Sequence, residues 1–221
     1  MTDHLAHLRT DVDAILGVLD RGSLDAPVTA CLGWSVRALV EHLGAVHRWA
    51  TEIVQTGAPQ AEKPYAGGDL TSWFALGADQ LLATLAAADP GAHCWSFTTD
   101  RTAGFWRRRQ ALETVVHRWD AEQAVGEPAP INVELAADGV TEVVDLLAPR
   151  QVKLGRVPAY APLLLRAVDT GQEWLLGDGA PVGSAEGSAQ DLLLLLWKRP
   201  VDGRVQLTGE AGAVLRLPLT P

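Results

Sequence analysis

The sequence predicts an α+β protein in two parts, an N-terminal four-helix bundle over residues 1–127 and a small α+β domain over residues 128–221. Three observations carry that expectation. Four segments before residue 127 place apolar residues at helical spacing, with no strand signal between them. Composition changes at Pro128-Ala129-Pro130. Alternating apolar runs bounded by turn residues begin only after that point. A chain of 221 residues with 48% hydrophobic side chains has ample material for one large core or two modest ones.

The first helix is expected from His4 to Asp20, because Leu5, Leu8, Val12, Ile15 and Leu19 recur at gaps of three and four. Thr2 or Asp3 can cap it and Gly22 ends it. Ser35 reads as the N-cap of a second helix reaching Thr56, closed by Gly57 and Pro59. This helix carries two apolar stripes, Val36, Val40, Leu43, Ala50 and Val54 on one, and Leu39, Val46, Trp49 and Ile53 on the other. So wide an apolar surface implies burial among several neighbours. Residues 57–69 read as a long connection, and Asp69 as the cap of a third helix from Leu70 to Ala88. An irregular link at 91–101 leads to a fourth helix, Thr102 to Val125, ended by Gly126. In the second part a helix is expected from Val133 to Leu147. A hairpin should join Leu163–Val168 to Glu173–Leu176 through Asp169-Thr170-Gly171. Ser188 and Asp191 have capping-box spacing ahead of a helix at Leu192–Trp197. Val205–Leu207 and Val214–Leu217 are expected as closing strands.

Charge and patterning narrow the function. The chain has 18 basic and 27 acidic side chains, a net of −9. That opposes a nucleic-acid surface, which needs basic groups to displace phosphate counterions, and it opposes adhesion to an anionic membrane. The polar start, Met1-Thr-Asp-His-Leu5, does not resemble a secretory leader. No apolar run approaches the roughly 18 residues that span a bilayer. A cytoplasmic protein is expected. Cys31 and Cys94 make neither a disulfide framework nor a C-x-x-C motif and read as buried thiols. There is no nucleophile elbow, phosphate-binding loop or dinucleotide fingerprint.

The informative stretch is Glu113-Thr-Val-Val-His117-Arg-Trp-Asp120. Positions four apart lie one above the other on a helix, so Glu113 and His117 project side by side. Asp120 shares that face and could orient the imidazole through its other ring nitrogen. Two of these side chains could ligate a divalent metal, with the third supporting them. E-x-x-x-H also arises by chance, and the ordinary alternative is a helical pair on a partly wet surface. A third ligand would have to come from His4, His7, His42, His47 or His93. His93 sits in a link, while His4 and His7 occupy a helix end that frays. The second helix offers His42 and His47, which point about 140° apart and cannot serve one site together. Spacing does not choose between them. Arg107-Arg108-Arg109 reads chiefly as a solvated helix face from which one or two members could approach an anion. Trp49 could wall a pocket or fill the core.

Gly33-Trp34-Ser35-Val36-Arg37, followed by Leu39-Val40-Glu41-His42-Leu43, resembles the N-terminal signature of the mycothiol-dependent maleylpyruvate isomerase family, part of the DinB-like four-helix-bundle superfamily. Ala111-Leu112-Glu113 and Val116-His117-Arg118-Trp119-Asp120-Ala121 are similar to its second signature, and Ser188 to Arg199 resembles a segment of its C-terminal domain. The resemblance implies a metal triad of His42, Glu113 and His117, which prefers His42 over His47. It also implies a role for an arginine of the C-terminal domain, best matched by Arg199, with Arg204 as rival. Two imidazoles and a carboxylate suit zinc in an open site, and would accept nickel, cobalt or iron(II). The implied co-substrate is mycothiol, whose thiolate would attack a small electrophile to give S-conjugation or cis–trans isomerisation. A water-activating metallohydrolase with the same triad is the first alternative, and a non-catalytic small-ligand module with a structural metal the second. The expected assembly is a monomer or a homodimer.

Overall fold

A computed structural model describes residues 2–126 and 128–221, and the chain divides into two compact units, Met1–Ala129 and Pro130–Pro221. The expected boundary after residue 127 touches Glu127, which, like Met1, lies outside the described residues.

The first unit holds α1 (His4–Asp20), α2 (Val36–Thr56), α3 (Leu70–Ala87) and α4 (Ala103–Val125). Each begins where a short polar side chain satisfies a backbone N–H that the helix leaves unpaired. Asp3 accepts from Ala6, Ser35 from Ala38, Asp69 from Thr71 and Thr102 from Phe105. Gly57 closes α2 in the left-handed conformation, φ 68°, where a side chain would be strained. α1 packs on α3 and α4, and so does α2, so α1 and α2 stand diagonally across the bundle. Residues 21–35 must therefore cross the end of the bundle. They do so as a tight loop, with Val28 N–H donating to the Trp34 carbonyl and Trp34 N–H to that of Cys31, both at 2.9 Å.

The α2–α3 contact depends on two glycines. A Cβ at Gly44 would fall 2.2 Å from the Trp73 ring, and one at Gly77 would fall 2.1 Å from the Arg48 guanidinium. That guanidinium lies 3.9 Å over the Trp73 ring and donates to the Trp73 carbonyl at 2.5 Å. Trp49 belongs to the aromatic packing with Trp95 and Trp106, its indole N–H donating to the Gln60 carbonyl. Trp49 is half-buried, and this aromatic packing accounts for its position.

α4 departs from simple amphipathicity. Arg109, Gln110, Thr114, His117, Arg118 and Asp120 are all buried on it. Buried polar groups are costly unless paired, and most of these find partners, although Gln110 Oε1 has none among the described residues. Arg118 reaches Asp11 at 3.1 Å, Glu122 at 2.7 Å and the Ala129 carbonyl at 2.6 Å. The expectation of a solvated Arg107–Arg109 face fails for the same reason. Arg107 donates to the carbonyls of Leu85 and Ala88 at the end of α3, and Arg109 is buried against Glu113.

The second unit opens with α5 (Val133–Glu142), a π-helical turn at Val143–Leu147 and α6 (Ala148–Lys153). The expected helix thus continues past Leu147. Pro149 cannot donate to the carbonyl one turn back, and the wider π turn just before it accommodates the ring. A four-stranded sheet follows in the order β2-β1-β3-β4, comprising β1 (Leu163–Ala167), β2 (Glu173–Leu176), β3 (Gly183–Gly187) and β4 (Gln206–Gly209). The expected hairpin is present in the register Leu163↔Leu176 and Arg166↔Glu173. β3 pairs parallel to β1 and antiparallel to β4. It escapes the sequence because Gly-Ser-Ala-Glu-Gly has no strand propensity. Its glycines are required by close approach instead, since a Cβ at Gly183 would meet the Thr208 carbonyl oxygen at 2.3 Å. Between β3 and β4 lies α7 (Ala189–Leu196), with Ser188 Oγ accepting from Asp191 N–H and packing against α5. The chain closes with α8 (Ala211–Val214). The strand expected at Val214–Leu217 does not form.

Candidate metal centre

Three side chains converge where α2 faces α4. Glu113 Oε1 lies 3.3 Å from His117 Nε2 and 3.7 Å from His42 Nε2, and the three donor atoms all fall within 4.8 Å of one another. Two residues four apart on α4 supply one edge of this triangle, and the facing helix supplies its apex. Side-chain exposure falls from 32% at His42 through 15% at Glu113 to 9% at His117, so the cluster opens on the His42 side. Burial, reinforced by the neighbouring His117, holds the His42 imidazole below its ordinary pKa. Its lone pair is therefore available at neutral pH. Two imidazole nitrogens and one carboxylate oxygen at this spacing fit a divalent cation.

The surrounding residues fix the donors. Asp120 Oδ2 sits 3.2 Å from His117 Nδ1, and its side chain is wholly buried. A proton held on Nδ1 by this carboxylate leaves Nε2 as the free acceptor facing Glu113. The second oxygen of Glu113 is occupied by Arg109, whose guanidinium forms an ion pair with Oε2. Trp34 lies against both imidazoles, with ring centroids 5.1 Å from His42 and 6.4 Å from His117. Behind Asp120 stands Cys31, half-buried, its thiol pointing at Oδ2 from 3.9 Å. Cys31, His117 and Asp120 thus form a second close group of donor atoms around the other nitrogen of the same ring. Cys94 is the inert thiol that the sequence suggests, buried and raised in pKa by that burial.

His47, five residues after His42, has a different environment. It is fully buried, with Nε2 2.9 Å from Thr114 Oγ1 and its ring 5.6 Å from that of Phe74. Burial drives its pKa down to about 3, so it is neutral, and it takes no part in the donor cluster. His93 lies exposed in the link before α4. Arg199 belongs to the second unit, where it is buried, donates to the Trp197 carbonyl at 2.5 Å and lies 5.7 Å from the Trp197 ring. It is not a loose surface charge. Arg204 is exposed and lies 3.0 Å from Asp191.

Sequence reasoning gave Trp34 and Cys31 no role at the site and read Arg109 chiefly as part of a solvated face. Two signals were available. Arg109 precedes Glu113 by one helical turn, a spacing at which opposite charges meet. Trp34 immediately precedes the cap of α2, so it must lie at the same end of the bundle as the start of that helix. For Cys31, which reaches α4 only through the crossing loop, no local signal exists.

The family model for the mycothiol maleylpyruvate isomerase N-terminal domain matches residues 5–122. Two solved structures are similar over nearly the whole length, described as the mycothiol-dependent maleylpyruvate isomerase and a histidine-to-alanine mutant of it. They share 13% and 12% sequence identity with this chain, each with a TM-score of 0.72 and with 93% of this chain and 92% of that chain covered. At such identity the likeness establishes a common fold. No curated protein sequence matches the chain.

Proposed function

The chain belongs to the mycothiol maleylpyruvate isomerase family, and from that premise we propose that it is a metal-dependent thiol transferase or isomerase acting with mycothiol on a small electrophile. His42, Glu113 and His117 would hold the metal. The observation that carries this reading is the convergence of two imidazole nitrogens and a single carboxylate oxygen within 4.8 Å of one another. Zinc suits this donor set best, and nickel, cobalt and iron(II) are compatible with it. A divalent ion bound there would favour the deprotonated, nucleophilic form of a thiol at neutral pH.

The chain's own residues have separable tasks in this proposal. Asp120 holds the His117 ring in one orientation and one tautomer, with the proton on Nδ1. His42, kept neutral by burial, offers its lone pair from the open side of the cluster, where a substrate would enter. Trp34 covers the two imidazoles and limits water on that side. Arg199, buried within the second unit, is proposed as the arginine whose role the family resemblance implies. No helix among the described residues is long and apolar enough to cross a membrane.

The direct test is turnover of small electrophiles, maleylpyruvate among them, by the metal-loaded protein with and without mycothiol. Thiol-dependent turnover lost in His42→Ala is expected. Turnover that is indifferent to thiol would instead make the protein a metallohydrolase, and ligand uptake without turnover would make it a binding module.

A further inference from the structure

His117 has two ring nitrogens, and each faces its own set of donor atoms. Nε2 turns to Glu113 and the triad, while Nδ1 lies 3.2 Å from Asp120 Oδ2. The same Oδ2 is 3.9 Å from the Cys31 thiol, and sulfur, nitrogen and carboxylate oxygen all fall within 4.8 Å of one another. His117 and Asp120 are buried and Cys31 is half-buried, so this group opens on the thiol side. The loop that crosses the bundle end holds the thiol in place. Cys31 N–H donates to the Val28 carbonyl at 3.1 Å, and the Cys31 carbonyl accepts from Trp34 N–H at 2.9 Å. A tetrahedral ion bonded to sulfur at about 2.3 Å and to nitrogen and oxygen at about 2.0–2.2 Å sets its ligands about 3.3–3.6 Å apart. The Nδ1–Oδ2 and Sγ–Oδ2 distances bracket that range. The other cysteine, Cys94, directs its thiol at the Ile53 and Trp95 carbonyls and joins no such group among the described residues.

We infer that Cys31, His117 and Asp120 form a second metal site, for a thiophilic divalent ion, whose filling excludes an ion from the triad. A thiolate is the soft ligand that the triad lacks, so the two donor sets favour different ions. On binding, the thiol releases its proton to solvent and its sulfur bonds to the ion. The proton on Nδ1 passes to Nε2 as Nδ1 takes the ion. Nε2 then carries that proton toward Glu113 Oε1, 3.3 Å away, and has no lone pair left for the triad. The exclusion rests on the triad proposed above, whereas the second site does not.

Cadmium is the probe, because its bond to a thiolate gives an ultraviolet charge-transfer band. Ion-free full-length protein with reduced thiols is titrated with cadmium chloride. Wild type, Cys94→Ala and His42→Ala should each develop the band saturably, and Cys31→Ser should develop none. Asp120→Asn should reach half-saturation of the band at about 10-fold more cadmium, since a carboxylate ligand is lost. No band in wild type, or a band that survives in Cys31→Ser, overturns the site. A band lost in His42→Ala would mean that Cys31 reaches the triad's own ion, and overturns it too. Should Cys31→Ser fail to fold, alkylation of Cys31 in folded Cys94→Ala protein removes the thiol without a substitution, and the band should vanish with it. For the exclusion, wild type and Cys31→Ser are loaded with one equivalent of cobalt(II) and cadmium is added. Wild type should release cobalt at about 10-fold lower cadmium than Cys31→Ser. Equal release, or a wild type that holds both ions at once, overturns the exclusion. Cobalt that never binds through His42 is a failure of the triad, read separately from the cadmium band of His42→Ala.

Discussion

Two histidines on one helix meet α4 in opposite ways. His42 lies at a partly open end of the α2–α4 contact, with carboxylate and imidazole atoms converging on its Nε2. His47 is sealed inside the same contact, bonded to Thr114 and packed on Phe74. Both are held neutral by burial, so neutrality alone does not distinguish a ligand from a structural residue. The difference lies in what faces the ring nitrogens. Around His42 the neighbours are donors with nothing to donate to in common except a cation. Around His47 the neighbours are a hydroxyl that satisfies one nitrogen and apolar atoms that leave Nδ1 without a partner.

The largest effect that would break this contrast is on metal affinity. His42→Ala should lower divalent-ion affinity by at least about 1000-fold, since one of three ligands is lost, while His47→Leu should leave stoichiometric binding in place. Equilibrium dialysis of the two variants checks it, and exchanged outcomes would mean that the wrong histidine has been assigned. The next effect is on stability. His47→Leu leaves Thr114 without its partner and repacks a sealed volume, and should cost about 2–3 kcal/mol by denaturant unfolding. His42→Ala, at the open end, should cost roughly 1 kcal/mol or less in ion-free protein.

Asp120 sharpens the contrast from the α4 side. Asp120→Asn should weaken metal binding by about 10–100-fold, because it removes the carboxylate that holds the His117 tautomer. A pH series separates the histidines further. The folded-state pKa of His47, about 3, lies below the ordinary value of about 6.5 that the unfolded chain would show. Below that value the unfolded state binds the extra proton and the folded state does not. The contribution of His47 is therefore fully present above about pH 6.5 and is lost as pH falls toward 3, with a slope of up to about 1.4 kcal/mol per pH unit. The difference between wild type and His47→Leu, measured by urea unfolding from pH 7 to pH 4, should follow that slope. The smallest expected change is for Cys31→Ser, which keeps a donor on Asp120 and should shift metal affinity by less than about threefold.

The helical bundle was legible in the sequence because each helix announces itself by spacing and ends. Leu8, Val12, Ile15 and Leu19 form the buried stripe of α1, and Ser35 and Gly57 bound α2. The Glu113–His117–Asp120 face was legible for the same reason, since helical geometry alone brings the three together. The identity of the facing histidine was not, because spacing within α2 carries no information about which stripe meets α4, and only the family resemblance preferred His42. Arg109 was misread as solvated because a helix surface looks polar in sequence whether water or a carboxylate meets it. In the second unit the propensity-poor β3 and the short α8 were hidden, as pairing with neighbours decides strands such as Gly183–Gly187.

The thiol reading stands most directly on one titration. Ion-free protein is loaded with one equivalent of cobalt(II), and mycothiol is added while the near-ultraviolet spectrum is followed. A saturable sulfur-to-cobalt charge-transfer band that is absent from His42→Ala is the expected result. A protein that holds cobalt through His42 and yet develops no such band at saturating mycothiol would contradict the thiol mechanism.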